Sequence, residues 1–300
     1  MIELRHLRYF IAVAEERNFN RAAERVHIDQ TPLARTVRDL EAQLGVVLLE
    51  RAPRQLRLTP AGHALLRHAR GLFTRIDRVQ RVVRARDAAR PTSLHVGIAE
   101  GLAQPRLAAC LAAWRDASSG PALHLREMPA AELVQALRQE ELDAAFSLGL
   151  PRLAGVVQRP LWRHAARALL PREHVLAVRR ELSLGELLAF PLIGVMPGRL
   201  PGWHRQLEMI LRQHVGRPVI AGEAASLSGY LTAVAAGQGV GLADEGFLRM
   251  LHRPDLVAVP LLEDVHFVTC LLHKQRPLRD GEGRQRLLTH ALSWADGEGG

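Results

Sequence analysis

Leu4, Leu7, Phe10, Ile11 and Ala14 recur at helical spacing and predict an amphipathic first helix. Asn18 or Asn20 can cap a short second helix over 21–26, whose inner face is small: Ala22, Ala23 and Val26. A short turn, His27-Ile28-Asp29, follows. Asp29 is placed to cap a third helix, its carboxylate accepting from free backbone N–H groups. Pro32 falls in the first turn, where its missing donor does no harm. Leu33, Val37, Leu40 and Leu44 form one apolar stripe of that helix, and Gly45 ends it. Gln30, Thr31, Ala34, Arg35 and Arg38 lie on the opposite face. The stretch 46–58 alternates apolar and basic residues around Pro53 and predicts a two-stranded wing.

Thr59 followed by Pro60 is a helix start, a capping hydroxyl and then proline at the first helical position. No proline follows until Pro91. Within this span Leu65, Ala69, Leu72, Ile76, Val79 and Val83 repeat at alternating steps of four and three, the pattern of a two-stranded coiled coil. A long helix packed on its own domain is the alternative.

Beyond residue 90 the period changes. Leu94, Val96 and Ile98 alternate as in a strand, and a helix with Leu107, Leu111 and Trp114 follows. A strand near 123–126, a helix with Leu133 and Leu137, and the strand LDAAFSL come next. Strands alternating with helices predict a parallel, helix-covered sheet. HVLAV, SLGELLAF, PLIGV and helices over 202–214 and 226–236 predict a second α/β unit, and VHFVTCLL with a helix over 282–294 close the chain. In open α/β sheets ligands bind at the carboxyl ends of strands. That rule nominates Glu100, Gly101 and Gln104 after the first strand and Pro129 after the second. It also nominates Arg199, Trp203 and His204 after a strand of the second unit, and Ser226 as a helix cap.

Charge sharpens this reading. Residues 1–90 hold 18 Arg against 10 acidic residues, and the other 210 hold 22 basic against 21 acidic. A basic excess confined to the first third marks a module for a polyanion, either nucleic acid or an anionic membrane surface. Two short helices, a tight turn and a third helix with a polar N-terminal face describe a helix-turn-helix, whose second helix reads base edges in the major groove. Gln pairs with adenine and Arg with guanine in bidentate fashion, and Arg51, Arg54 and Arg57 of the wing are offered to phosphates. No run of about 18 apolar residues is free of charge, so no transmembrane helix is predicted. The charged N-terminus lacks the apolar core of a signal peptide, and a cytoplasmic protein is expected. Cys110 and Cys270 lie in apolar contexts that favour buried packing over redox sensing or a disulfide.

The stretch HLRYFIAVAEERNFNRAAERVHIDQTPLARTVRDLEAQLGVVLLERAPRQLRLTPAG resembles the DNA-binding domain of the LysR-type transcriptional regulators. Carried over by position, that resemblance puts base and phosphate contacts on Gln30, Thr31, Ala34, Arg35, Arg51 and Arg54, flanking Pro32 and Arg38. Asp29 and Ala34 stand where the family often has Ser, and Leu49 replaces its usual Phe. SLHVGIAEGLAQPRLAACLAAWR, LREMPAAELVQALRQEELDAAF and LTAVAAGQGVGL resemble the family's effector-binding domain, itself similar to periplasmic solute-binding proteins. The resemblance implies an α/β chain with an all-α winged helix-turn-helix over 1–58 and a linker helix over 59–90. It also implies one lobe from 91–161 plus 267–300 and a second from 162–266. An unidentified small-molecule effector would sit between the lobes. Double-stranded DNA and further copies of the chain, as dimer or tetramer, are the implied partners. Many members hold a carboxylate with hydroxyls where this chain has Glu100 and Pro129; Arg199 would restore an anion partner.

The competing motifs are weak. Gly237-Gln238-Gly239-Val240-Gly241 follows a predicted helix and opens a strand, the reverse of a phosphate-cradling loop, and reads as a turn. None of the 14 histidines shows metal-site spacing, and no G-x-S-x-G elbow or P-loop is present. No cofactor, metal or catalytic activity is expected.

Overall fold

The computed structural model describes residues 2–52, 55–87, 93–117, 120–151, 153–212, 218–275 and 281–295. The chain divides into two compact units, 1–87 and 88–300.

In the first unit, α1 (Leu4–Glu16), α2 (Phe19–Arg25) and α3 (Gln30–Leu44) precede a hairpin of β1 (Leu49–Ala52) and β2 (Gln55–Leu58), then the 28-residue α4 (Pro60–Asp87). Asn18 caps α2, its side-chain oxygen accepting from Asn20 N at 2.8 Å and Arg21 N at 3.2 Å. Gly45 ends α3 at φ +67°, the left-handed cap that glycine adopts without a Cβ penalty. Asp29 departs from expectation: it is the N-cap of α3, but its side chain makes no capping bond. Instead Glu41 ties the wing to α3, one carboxylate oxygen accepting from Leu48 N at 2.7 Å and Leu49 N at 3.1 Å.

Two small apolar clusters hold this unit together. Leu33 and Val37 of α3 pack with Val13, Ala22 and Ala23, while Leu40 packs with Leu7, Phe10, Leu48, Leu66 and Ala69. The second cluster corrects part of the coiled-coil expectation. Ala69 is buried in its own domain and Leu65 lies partly buried against the same cluster. Leu66, Ala69 and Phe73 form a stripe toward α1, and Arg70 adds an ion pair to Glu15 at 2.6 Å. Leu72 is 39% exposed and Ile76 half-buried. Val79 and Val83 are helical, but their side chains lie outside the described residues.

In the second unit the order is β3 (Leu94–Ala99), α5 (Pro105–Asp116), β4 (Leu123–Met128), α6 (Ala130–Arg138), β5 (Ala144–Leu148) and β6 (Val156–Pro171). Then come α7 (Leu184–Leu188), β7 (Leu192–Val195), α8 (Pro201–Leu211), β8 (Ile220–Ala224), α9 (Leu227–Ala235), β9 (Gly241–Asp244) and α10 (Glu245–Leu248). β10 (Leu256–Pro260), β11 (His266–Lys274) and α11 (Glu282–Ser293) follow. Parallel β4-β3-β5 continue into β11, antiparallel to β5, and then β6, antiparallel to β11, so the sheet is mixed where a parallel one was expected. β6 serves two sheets. Its residues up to Ala165 pair with β11; from Ala166 on they pair with β9 and β10. β7 and β8 pair in parallel, and a Leu192–Val240 bridge joins them to the lead of β9. HVLAV, at 174–178, is turn rather than regular structure, and the helix expected to 214 ends at Leu211; His214 lies outside the described residues.

Gly62 in the first turn of α4 lies directly over the wing. A Cβ there would collide with the Leu48 carbonyl, which accepts from Thr59 N at 3.0 Å. Gly62→Ala is expected to destabilise the first unit by about 1–3 kcal/mol, the usual cost of overpacking. The denaturant midpoint measures it; an unchanged midpoint would show that this crossing relaxes freely.

Candidate functional site

The exposed flank of α3 is the first candidate. Leu33, Val37 and Leu40 are buried to 1% exposure or less, which fixes the rotation of the helix. That rotation leaves Gln30, Thr31, Pro32, Arg35 and Arg38 exposed and Ala34 half-buried. Arg38 Nε donates to Ala34 O at 3.3 Å, so its guanidinium is folded back along the helix. Because Asp29 makes no cap, the free N–H groups of the first turn stay on this surface. In the wing Arg51 pairs in register with Leu56; its side chain and the whole of Arg54 lie outside the described residues.

The second candidate is a cavity of about 30 Å³ in the second unit. It is lined by Glu100 and Gly101 after β3, Ala130 at the start of α6, Ser147 and Leu148 of β5, and Arg199 through Trp203 at the start of α8. Four residues nominated from the sequence thus meet here: Glu100, Gly101, Arg199 and Trp203. Four do not line it. Gln104 is 4% exposed and its amide is engaged on both ends. Its Nε2 donates to Asp244 at 3.2 Å, and its Oε1 accepts from Trp162 Nε1 and Thr269 Oγ, each at 2.9 Å. A buried amide with its bonds satisfied is a structural strut, and this corrects its nomination as a ligand contact. Pro129 is the N-cap of α6, Ser226 caps α9 through Gly229 N at 3.1 Å, and His204 Nδ1 donates to Val195 O at 3.0 Å.

Sequence reasoning missed Ala130, Ser147, Leu148 and Leu200 through Gly202. Pro201 opening a helix after a strand was the available signal for the last group. It also missed Gln206, which brackets the Val268 peptide, its Nε2 donating to the carbonyl at 2.7 Å. A Cβ on Gly202 would stand 2.8 Å from Leu148 O, so the start of α8 presses directly on the end of β5.

Three other features carry less. Burial pushes both thiols up, Cys110 and Cys270 to about 11, so each stays a protonated packing group. An open groove of about 370 Å³ between α5 and α11 is lined by Trp114, Thr289 and His290 among others, but borders residues outside the described set. The glycine run at 237–241 follows α9 and leads into β9, with Gly237 at φ +70°. Gly241 is required there, since a Cβ would meet the fully buried Tyr230 hydroxyl at 2.5 Å.

A family model described as the LysR substrate binding domain matches residues 88–282, and one described as a bacterial regulatory helix-turn-helix protein of the lysR family matches 4–63. The chain belongs to the LysR family of transcriptional regulators. Among curated LysR-type relatives, the uncharacterized HTH-type transcriptional regulator YnfL of Escherichia coli (strain K12) is 32% identical, over 88% of this chain and 89% of its own. The HTH-type transcriptional regulator BenM of Acinetobacter baylyi is 29% identical, over 87% of this chain and 86% of its own. Among solved structures, that of CbnR, a LysR family transcriptional regulator, matches with TM-score 0.81 at 25% identity, covering 99% of this chain and 100% of that one. Full-length CbnR complexed with its target DNA matches at 0.81 with 26% identity, covering 98% and 100%. This LysR-type regulator therefore couples a helix-turn-helix DNA-binding domain to an effector-binding domain. Among the described residues no cluster suits a metal ion, and no helix is long and apolar enough to cross a membrane.

The strut has a pH signature. Burial pushes the Asp244 carboxyl from 3.8 up to about 6, against the lowering pull of hydrogen bonds from Phe247 N and Gln104. The folded state then binds the proton more tightly than the unfolded chain. Its contribution is fully present below about pH 4 and is lost as pH rises through 6. Asp244→Asn should gain on the wild type by about 2–3 kcal/mol between pH 4 and 7.5. Melting temperature followed across that range measures it; parallel curves would refute the assignment.

Proposed function

We propose that α3 enters the major groove of operator DNA, with Gln30 and Arg35 on base edges. Thr31, Arg38 and the wing arginines Arg51 and Arg54 then take the phosphates. The carrying observation is the orientation of α3, a polar and basic flank in water above a stripe buried to 1% exposure or less. The likeness to CbnR in complex with its target DNA supports the same reading. Ala34 offers only a methyl group to the groove, which suits contact with a thymine methyl.

The effector binds in the cavity between lobe 91–161 plus 267–300 and lobe 162–266. Its placement follows from the elements that meet there: strand ends from one lobe face a helix start from the other. Among the described residues, the larger groove between α5 and α11 has no such convergence. Chains pair through the part of α4 beyond its packing on α1, beginning at Leu72, and pairs assemble into tetramers. An effector shifts the arrangement of the bound copies only through unequal affinity for the two arrangements. The protein works in the cytoplasm, without cofactor and without catalysis.

Three measurements test this. Binding to DNA upstream of its own gene should weaken steeply with salt, as counterion release requires. Absence of any gel shift at low salt would exclude it. Arg35→Ala should cost about 1–3 kcal/mol at the cognate site and relax base preference there. Equal loss on random DNA would make Arg35 a phosphate contact instead. Leu72→Glu with Ile76→Glu should give monomers by light scattering, and an unchanged mass would show that pairing lies elsewhere.

A further inference from the structure

Glu100 and Arg199 line the same cavity and carry opposite charge. Both are exposed, and neither has an ion pair or a side-chain hydrogen bond among the described residues. Backbone bonds set where each begins. Glu100 N donates to Met128 O at 3.0 Å, and the chain turns at Gly101 with φ +80°; Arg199 N donates to Met196 O at 3.0 Å.

The surroundings are polarised in the same sense. On the Arg199 side, α8 starts without a capping side chain. Free N–H groups at helix starts favour an anion. Trp203 lines the cavity at 4% exposure, and its indole N–H is buried without an acceptor. On the Glu100 side lies Glu127, whose Oε1 accepts from Gly101 N at 3.4 Å. Leu102, Leu148 and Leu200 supply apolar wall between the two.

We propose that the cleft takes a small α-amino acid with an apolar side chain. Its carboxylate meets Arg199 and the start of α8, its ammonium meets Glu100, and its side chain meets the leucines. This rests on the reading of the cleft as the effector site. A plain carboxylic acid would leave Glu100 beside it desolvated and unpaired, and a dicarboxylate would set one anion against that residue.

Calorimetric titration of the full chain provides the test, with L-leucine and L-phenylalanine as probes. Each is compared with its matched amine (isoamylamine, phenethylamine) and matched acid (4-methylpentanoate, 3-phenylpropanoate). One of the amino acids should bind, with its amine and its acid each about tenfold weaker or worse. Glu100→Gln should erase the preference for the amino acid over the acid, and Arg199→Ala should weaken both. An acid that binds as tightly as its amino acid, with Arg199→Ala still weakening it, overturns the dipolar assignment and leaves the cleft as the effector site. Binding untouched by either substitution places the ligand elsewhere and overturns both readings. Silence with all six probes at millimolar concentration overturns the amino-acid assignment alone.

Discussion

The second unit depends on one continuous ribbon. β6 runs 16 residues and pairs first with β11 and then with β9 and β10, so a single strand belongs to both sheets. Leu161 is the extra residue of a bulge opposite Thr269 and Cys270, where Pro160 is tolerated because the ladder is already interrupted. Gln104 is anchored to both strands of this ribbon, through Trp162 and Thr269, and to Asp244 at the end of β9. β11 carries the junction on to β5, whose Ser147 and Leu148 line the cavity, and β5 pairs in turn with β3, which leads into Glu100.

The legible parts of the chain are those with one period and one buried face. α3 shows this best: a stripe at steps of four and three is buried as a unit, so the opposite flank had to face water. β6 was invisible for the complementary reason. The bulge buries Leu161 and Trp162 in succession, and Ala168, Leu169 and Leu170 are all buried where the strand is covered on both faces. A strand that changes partners midway has no single alternation to detect. Arg159, Arg163 and Arg167, interleaved with Pro160 and His164, obscured it further. The seam of α4 is divided between two uses. Leu65 and Ala69 fit a heptad, but Leu66, Ala69 and Phe73 fit a second stripe, and it is the second that meets α1. Spacing alone does not say which neighbour a stripe will find.

The cleft divides along a similar line. Of the residues that the strand-end rule nominates, Glu100, Gly101, Arg199 and Trp203 line the cavity. It does not tell which way a side chain turns once the chain has left the strand. Gln104, at the N-cap of α5, turns inward to three buried partners, and Ser226 turns back to its own helix. Both are committed to satisfying polar groups that burial would otherwise leave unpaired. Residues short of a partner are the better guide to a binding site. Among the residues lining the cavity, the indole N–H of Trp203 and the charges of Glu100 and Arg199 have no partner among the described residues.

Packing then bounds how the cleft works. The space enclosed in it is about 30 Å³, while two of its lining residues, Glu100 and Arg199, are exposed. The start of α8 lies close on the end of β5, where a Cβ on Gly202 would stand 2.8 Å from the Leu148 carbonyl. Gln206, five residues along from Pro201, still holds the Val268 peptide and limits how far α8 can lift. A ligand that separates Gly202 from Leu148 while leaving Gln206 in place would tilt α8 rather than detach it. That tilt is the kind of discrete, bounded change that unequal ligand affinity can select.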